Sequence, residues 1–207
     1  MDILLYPSYF PSISHFVAIA KADKIIFEIE DNYQKQTNRN RAYIYSPNGI
    51  QLLNIPVKHS KEATQKTKDV KIDGSFGWQK QHFKSLEAAY RTSPFFEFFE
   101  DAISPIFTKN HTFLLDLNFE TIDIVSKCLR IKFENEKTVE YFHEATDYLD
   151  LRILVNGKKD TSVFDSYTQV FEEKHGFLNN ISILDLLFNE GRFALDYLKK
   201  QSLQLIQ

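Results

Sequence analysis

Cysteine is almost absent: the chain of 207 residues has one, Cys128. No internal disulfide can form, which removes the stapled scaffolds typical of secreted domains. Cys128 sits in an apolar helical stretch and reads as a buried thiol; a nucleophile would need a thiolate-favouring neighbour, and only Lys127 and Arg130 are near in sequence. Glycine and proline number 6 each. Loops should therefore be few, and the scattered glycines exclude a phosphate-cradling loop of the Rossmann or Walker kind. A Gly-x-Ser-x-Gly nucleophile elbow is missing too. No apolar run approaches the roughly 20 residues of a spanning helix; the densest, Ile183 to Phe188, is interrupted by Asp185. Met1 to Pro7 carries Asp2 in place of a basic leader, and its apolar run is too short for a signal peptide. The chain reads as soluble and cytoplasmic, with no membrane insertion.

What is present is ordinary globular material: 43% hydrophobic and 26% charged residues, with 19 Phe and 10 Tyr. This excludes a disordered chain, a collagen-like repeat and a long coiled coil. A chain of this length buries well over half of its unfolded surface. With no repeat or linker, residues 1–207 are expected to form one domain, with a helical sub-domain possible from about residue 78.

The first thirty residues predict a β-loop-α-β unit. Ile3 to Tyr6 is a strand stopped by Pro7, and the prolines at 7 and 11 bracket a loop. Ser12 to Ala22 has Ile13, Phe16, Val17 and Ala20 at helical spacing with Ser12 as N-cap. Lys24 to Ile29 is a second strand, parallel to the first. The loop after the first strand then lies where open α/β sheets put ligands. Ala42 to Tyr45 and Ile50 to Val57 form a hairpin around Asn48-Gly49. Lys58 to Lys68 is expected to be a mobile loop, and Val70 and Ile72 a short strand. From residue 78 helices dominate: Gln79 to Arg91; one opened by Ser93-Pro94, with Phe95, Phe96, Phe98 and Phe99 as core; one capped by Asn118; one opened by a Ser182-x-x-Asp185 capping box and interrupted by Gly191; and a last one running to about Leu205. Ile131 to Phe133 and Leu151 to Val155 are expected strands. The fold class is α/β, or α+β if the hairpin dominates, with a helix-rich C-terminal half.

The net charge of −3 hides an uneven distribution: residues 35–71 carry +6 and the rest −9. Clustering of this kind focuses anionic ligands. Its bland alternative is a solvated lysine loop. Arg39 and Arg41, one residue apart before a strand, offer planar donor forks to phosphate or carboxylate, or salt bridges that position the loop. Nucleic acid is disfavoured, because phosphate backbones would be repelled by the −9 body. A small anion fits better.

Several ordered motifs carry a family resemblance. They are Pro7-x-Tyr9-Phe10-Pro11, Asp31-Asn32-x-Gln34-Lys35, Asn38-Arg39-Asn40-Arg41, Asn54-Ile55-Pro56-Val57, His82-Phe83 with Ser93-Pro94-Phe95-Phe96, Tyr167-x-Gln169-Val170-Phe171 and Asn180 to Gly191. This set resembles the WbqC-like family over nearly the whole chain. The resemblance implies a bacterial protein associated with O-antigen and other surface-polysaccharide biosynthesis, a family without a securely defined reaction. Many members read His-Gln-Pro where this chain has Leu5-Tyr6-Pro7. Leu5 cannot transfer a proton, which points to altered chemistry or to a substrate-binding relative.

Each candidate has two readings. Tyr9 lines a pocket or packs its loop. Asp31, at the end of the second strand, is a general base or metal-phosphate ligand, or the partner of Arg39 or Arg41. His82 is an acid–base substitute for the absent strand-end histidine, or a satisfied structural one. Lys35, Arg39, Asn40 and Arg41 are the anion-binding set, with Lys58 and His59 at its edge. His15 shows no readable partner pattern, and Asp185 reads as a capping acid. The chain shows no zinc-type spacing, and its cofactor and oligomeric state stay open. The expected activity is a transferase on an activated sugar or an acyl or aminoacyl donor; the second reading is a non-catalytic binding or assembly protein of the same pathway.

Overall fold

Ile3, Leu4 and Leu5 are all buried, as are Ile25, Ile26 and Phe27. Strands apolar on both faces belong inside a parallel sheet. The computed structural model describes residues 1–60 and 64–203. In it β1 (Asp2–Leu5), α1 (Ile13–Lys21) and β2 (Lys24–Phe27) form the expected unit, with β1 parallel to β2 and Ile3 opposite Ile25. β3 (Arg41–Ser46) and β4 (Gly49–Asn54) make the antiparallel hairpin, turned by Gly49 at φ +93°. Next come α2 (Trp78–Tyr90), α3 (Phe96–Ile103) and α4 (Leu114–Cys128), then β5 (Glu134–Lys137) and β6 (Leu149–Asp150). α5 (Glu172–His175), α6 (Ile183–Glu190) and α7 (Ala194–Lys200) close the chain.

The main sheet runs β5-β2-β1-β6, parallel throughout. The architecture is thus an α/β parallel sheet with helices, a small antiparallel hairpin and a helix-rich C-terminal half. The apolar core draws on residues from Ile3 to Leu198. Because all four strands point the same way, Tyr6, Glu28, Thr138 and Leu151 follow strand ends at one edge. Backbone bonds from Glu28 to Leu5, Thr138 to Phe27 and Leu151 to Leu4 lock that edge. β1 is its switch point, with β2 on one side and β6 on the other.

Several expectations need correction. The third and fourth sheet strands are not Ile131 to Phe133 and Leu151 to Val155. β5 is the charged edge run Glu134–Lys137, exposed throughout, and β6 has two residues, followed by a 3-10 turn over Arg152–Val155. Edge strands tolerate charge because one face and one ladder row meet water. Val70 and Ile72 form no strand; Ile72 bridges Val57 and Lys71 bridges Phe113. The Lys58 to Lys68 segment is partly docked: Lys66 bridges Asn32, and Thr67–Asp69 forms a 3-10 turn. Lys61 and Glu62 of the charge count lie outside the described residues.

α3 begins at Phe96 with Phe95 as N-cap, while Ser93 Oγ turns back to donate to the Tyr90 carbonyl. Phe96 and Phe99 are core, but Phe98 is 76% exposed. Asn118 is no cap, since α4 starts at Leu114. Ser182 does cap α6, accepting from Leu184 N. Asp185 instead turns inward, accepting from Tyr167 Oη at 2.6 Å and Gln169 Nε2 at 2.9 Å. Gly191 ends α6 at φ +54°, where a Cβ would lie 2.5 Å from the Phe95 ring. α7 stops at Lys200, and Leu205 lies outside the described residues. No helix among the described residues is long and apolar enough to cross a membrane.

Candidate functional site

The segment from Glu28 to Arg41 leaves the carboxyl end of β2 with three charges turned inward. Glu28 is fully buried. It accepts from Glu30 N, Thr138 Oγ1 and Phe142 N, with Arg152 Nη1 3.9 Å away. Arg39 is also fully buried. Its Nη2 donates to Asp31 Oδ2 at 2.5 Å and its Nη1 to Thr37 Oγ1 at 3.2 Å, while its guanidinium lies 4.1 Å over the Tyr6 ring. Burial pushes the Asp31 carboxyl up, and the Arg39 charge only partly offsets it.

The backbone around Arg39 is clamped from three sides. Asn118 Nδ2 donates to the Arg39 carbonyl at 2.9 Å, Tyr9 N to the Asn38 carbonyl, and Asn38 N to the Val155 carbonyl. Successive residues of extended chain face opposite ways. Residues two apart in such a strand would share a face, but Arg39 lies in the turn before β3 and is fully buried, whereas Arg41, the first residue of β3, is only part-buried.

Outside this clamp lies a cleft of about 670 Å³ between the 32–36 loop, the open end of the hairpin and the Pro56 to His59 segment. Lys35, Asn40, Arg41, Lys58 and His59 all line it. Neither Lys35, Arg41 nor Lys58 forms an ion pair with another described residue; Arg41 Nε makes only a 3.4 Å bond to Asn54 Oδ1. One acid, Asp73, shares the lining. Its carboxyl is held below the usual range by hydrogen bonds from Ser75, and also by Lys58 and His59. Asn40 donates from Nδ2 to the Ile55 carbonyl at 2.9 Å and to Asn54 Oδ1 at 3.3 Å. Its Oδ1 is buried without a partner among the described residues.

Tyr9 and His82 are elsewhere. They form a buried pair, Tyr9 Oη to His82 Nδ1 at 3.0 Å. Burial pushes His82 down to about 4, against a bond to the Asn54 backbone that favours its charged form, and raises the Tyr9 hydroxyl. His82 also lines a second cleft of about 390 Å³, which shares Asn54, Pro56 and Phe76 with the first. Five of the nine residues singled out from sequence thus meet in one cleft, Arg39 and Asp31 lie paired inside the clamp, and Tyr9 and His82 lie apart.

Other polar clusters had no legible signal. Ser12 Oγ bonds His15 Nδ1 at 3.1 Å and Ser14 Oγ at 2.8 Å, and Ser14 Oγ donates to Asp160 at 2.5 Å. Burial pushes His15 down to about 4. Cys128 is half-buried, and burial raises its thiol. Among the described residues, no group of three or more His, Cys, Asp or Glu side chains is placed to hold a metal ion.

A parallel α/β sheet with a clamped ion pair at its carboxyl edge, beside a cationic cleft built on an added hairpin, defines the class of protein. Residues 6–164 match the model of the WbqC-like protein family, and the chain belongs to that family. The match begins one residue after Leu5, which ends β1 fully buried. The chain is 29% identical to the uncharacterized protein Rv1507c of Mycobacterium tuberculosis, covering 95% of this chain and 96% of that protein. No solved structure matches significantly.

Proposed function

We propose that the cleft binds the anionic part of an activated-sugar substrate, and that the protein is a transferase of bacterial surface-polysaccharide, O-antigen-type biosynthesis. The biological context rests on the family resemblance. The observation that carries the site is the convergence of Lys35, Arg41 and Lys58, free of described ion pairs, on one cleft. Arg41 and Lys58 hold the anion, with Lys35 and His59 at the rim. Arg39 and Asp31 are positioning residues, fixing the strand that presents Arg41. His82, on the neighbouring cleft, is the acid–base candidate.

Ligand-induced thermal shifts test the site, using nucleotide-sugars, nucleotides and acyl or aminoacyl donors. A nucleotide-sugar is expected to raise the melting temperature. Arg41→Ala is expected to weaken its binding about tenfold to a hundredfold, the loss of one charge-assisted hydrogen bond. If no anion raises the melting temperature, or Arg41→Ala binds as the wild type does, the site assignment is wrong. One observation favours a second reading, a non-catalytic binding or assembly protein: Leu5, at the strand end where the family resemblance implies a histidine, is buried and apolar. Tight nucleotide-sugar binding without turnover, with candidate acceptors supplied, supports that reading.

A further inference from the structure

The two adjoining clefts differ in charge. Lys35, Arg41, Lys58 and Asp73 line the first. The second, about 390 Å³, is lined by no Lys, Arg, Asp or Glu. Beside Asn54 and His82, its polar side chains are two amides and a hydroxyl on two elements: Gln51 on β4, and Gln81 and Ser85 one turn apart on α2. Gln51 Nε2 donates to Ser85 Oγ at 2.9 Å, and Ser85 Oγ donates to the Gln81 carbonyl at 3.0 Å. The carbonyl oxygen of the Gln51 side chain and the whole Gln81 amide stay without described partners. Amides both donate and accept, which matches vicinal hydroxyls that do the same. Around them lie apolar faces: Phe76 is 62% exposed, Leu52 is part-exposed, and Trp78 backs the cleft. Burial keeps His82 neutral there.

Resting on the reading of the cationic cleft given above, we infer that this neutral annex is a sugar subsite. It takes the hydroxyl-rich, uncharged part of a phosphorylated substrate whose anion sits against Arg41 and Lys58. Asn54, Pro56 and Phe76 belong to both clefts, so one molecule reaches from one to the other. The lining also selects among donor classes. An aminoacyl group carries an ammonium, and the annex has no carboxylate to meet it. A long acyl chain would leave the Gln51 and Gln81 amides facing a surface that cannot pair with them. A sugar pairs them.

Trp78 is the only tryptophan in the chain, so its fluorescence reports directly on the annex. The test compares inorganic phosphate with a hexose 1-phosphate, by calorimetry and by Trp78 emission, in the wild type and in Gln81→Ala. Gln81 is exposed on α2, and alanine favours helix, so the variant keeps its fold. The hexose 1-phosphate is expected to bind about tenfold tighter than phosphate, as one or two added hydrogen bonds give. It alone should change Trp78 emission. Gln81→Ala should remove that advantage and leave phosphate binding unchanged. Equal affinities, indifferent to Gln81→Ala, would overturn the sugar subsite while leaving the cationic cleft standing. Failure of both probes to bind would overturn the cleft and the annex together.

Discussion

Asp31→Ala is expected to destabilise the protein by about 3–5 kcal/mol, the usual cost of stripping one partner from a buried ion pair. Arg39 is fully buried and cannot deprotonate, so its charge would be left with Thr37 Oγ1 and the Tyr6 ring face. Removing the other partner should cost less. In Arg39→Met the apolar stem keeps most of the packing, and Asp31, already raised by burial, escapes by taking a proton. The penalty of Arg39→Met should therefore shrink as pH falls, whereas that of Asp31→Ala should not. Asp31→Leu combined with Arg39→Met should recover much of the loss, since buried pairs often exchange for apolar residues at little net cost. Urea denaturation of the variants measures this. A loss below about 1 kcal/mol for Asp31→Ala, the range of an exposed pair, would mean that the pair does not hold the loop that presents Arg41.

The second large effect lies at Asp185. Burial pushes its carboxyl up from the usual 3.8 to about 6, although Tyr167 and Gln169 hydrogen-bond to it. An acid raised on folding keeps its proton longer in the native state than in the unfolded one. Its contribution is therefore fully present below pH 3.8 and is lost as pH rises through about 6. The shift of roughly two units corresponds to about 3 kcal/mol. Buried His15 and His82, both pushed down to about 4, act in the opposite sense. Their contribution is present above about 6.5 and is lost as pH falls through about 4. The wild-type profile mixes these trends, so the readout is the difference between wild type and Asp185→Asn. Asparagine keeps an acceptor for Tyr167 and Gln169 without a charge. The wild type should lose about 3 kcal/mol relative to Asp185→Asn between pH 4 and pH 6.5. A constant difference across that window would mean that Asp185 is not raised by its site.

How far the sequence reaches depends on the element. β1 and β2 were legible because Ile3 to Leu5 and Ile25 to Phe27 are apolar runs bounded by Pro7 and Asp23, and the hairpin because Asn48-Gly49 accepts positive φ. β5 was not, because Glu134–Lys137 is an exposed edge strand with no apolar alternation. The cleft was partly legible. Charge clustering found Lys35, Arg41 and Lys58, but a spacing of two predicts one shared face for Arg39 and Arg41, and only the turn that Arg39 occupies before β3 separates them. Asn118 looked like a cap because it precedes a helical pattern; its long-range bond to the Arg39 carbonyl has no local signature. The Gln51, Gln81 and Ser85 annex combines a strand with a helix some thirty residues later in sequence, so only the packed fold brings it together.

The most direct measurement of the central claim is an amide chemical-shift titration with a nucleoside-diphosphate sugar. The account predicts saturable changes concentrated at Lys35, Asn40, Arg41 and the Asn54 to His59 segment, saturating only at about tenfold to a hundredfold higher ligand in Arg41→Ala. Changes confined to the carboxyl edge of the sheet around Tyr6 and Arg152, or surviving Arg41→Ala intact, would contradict it.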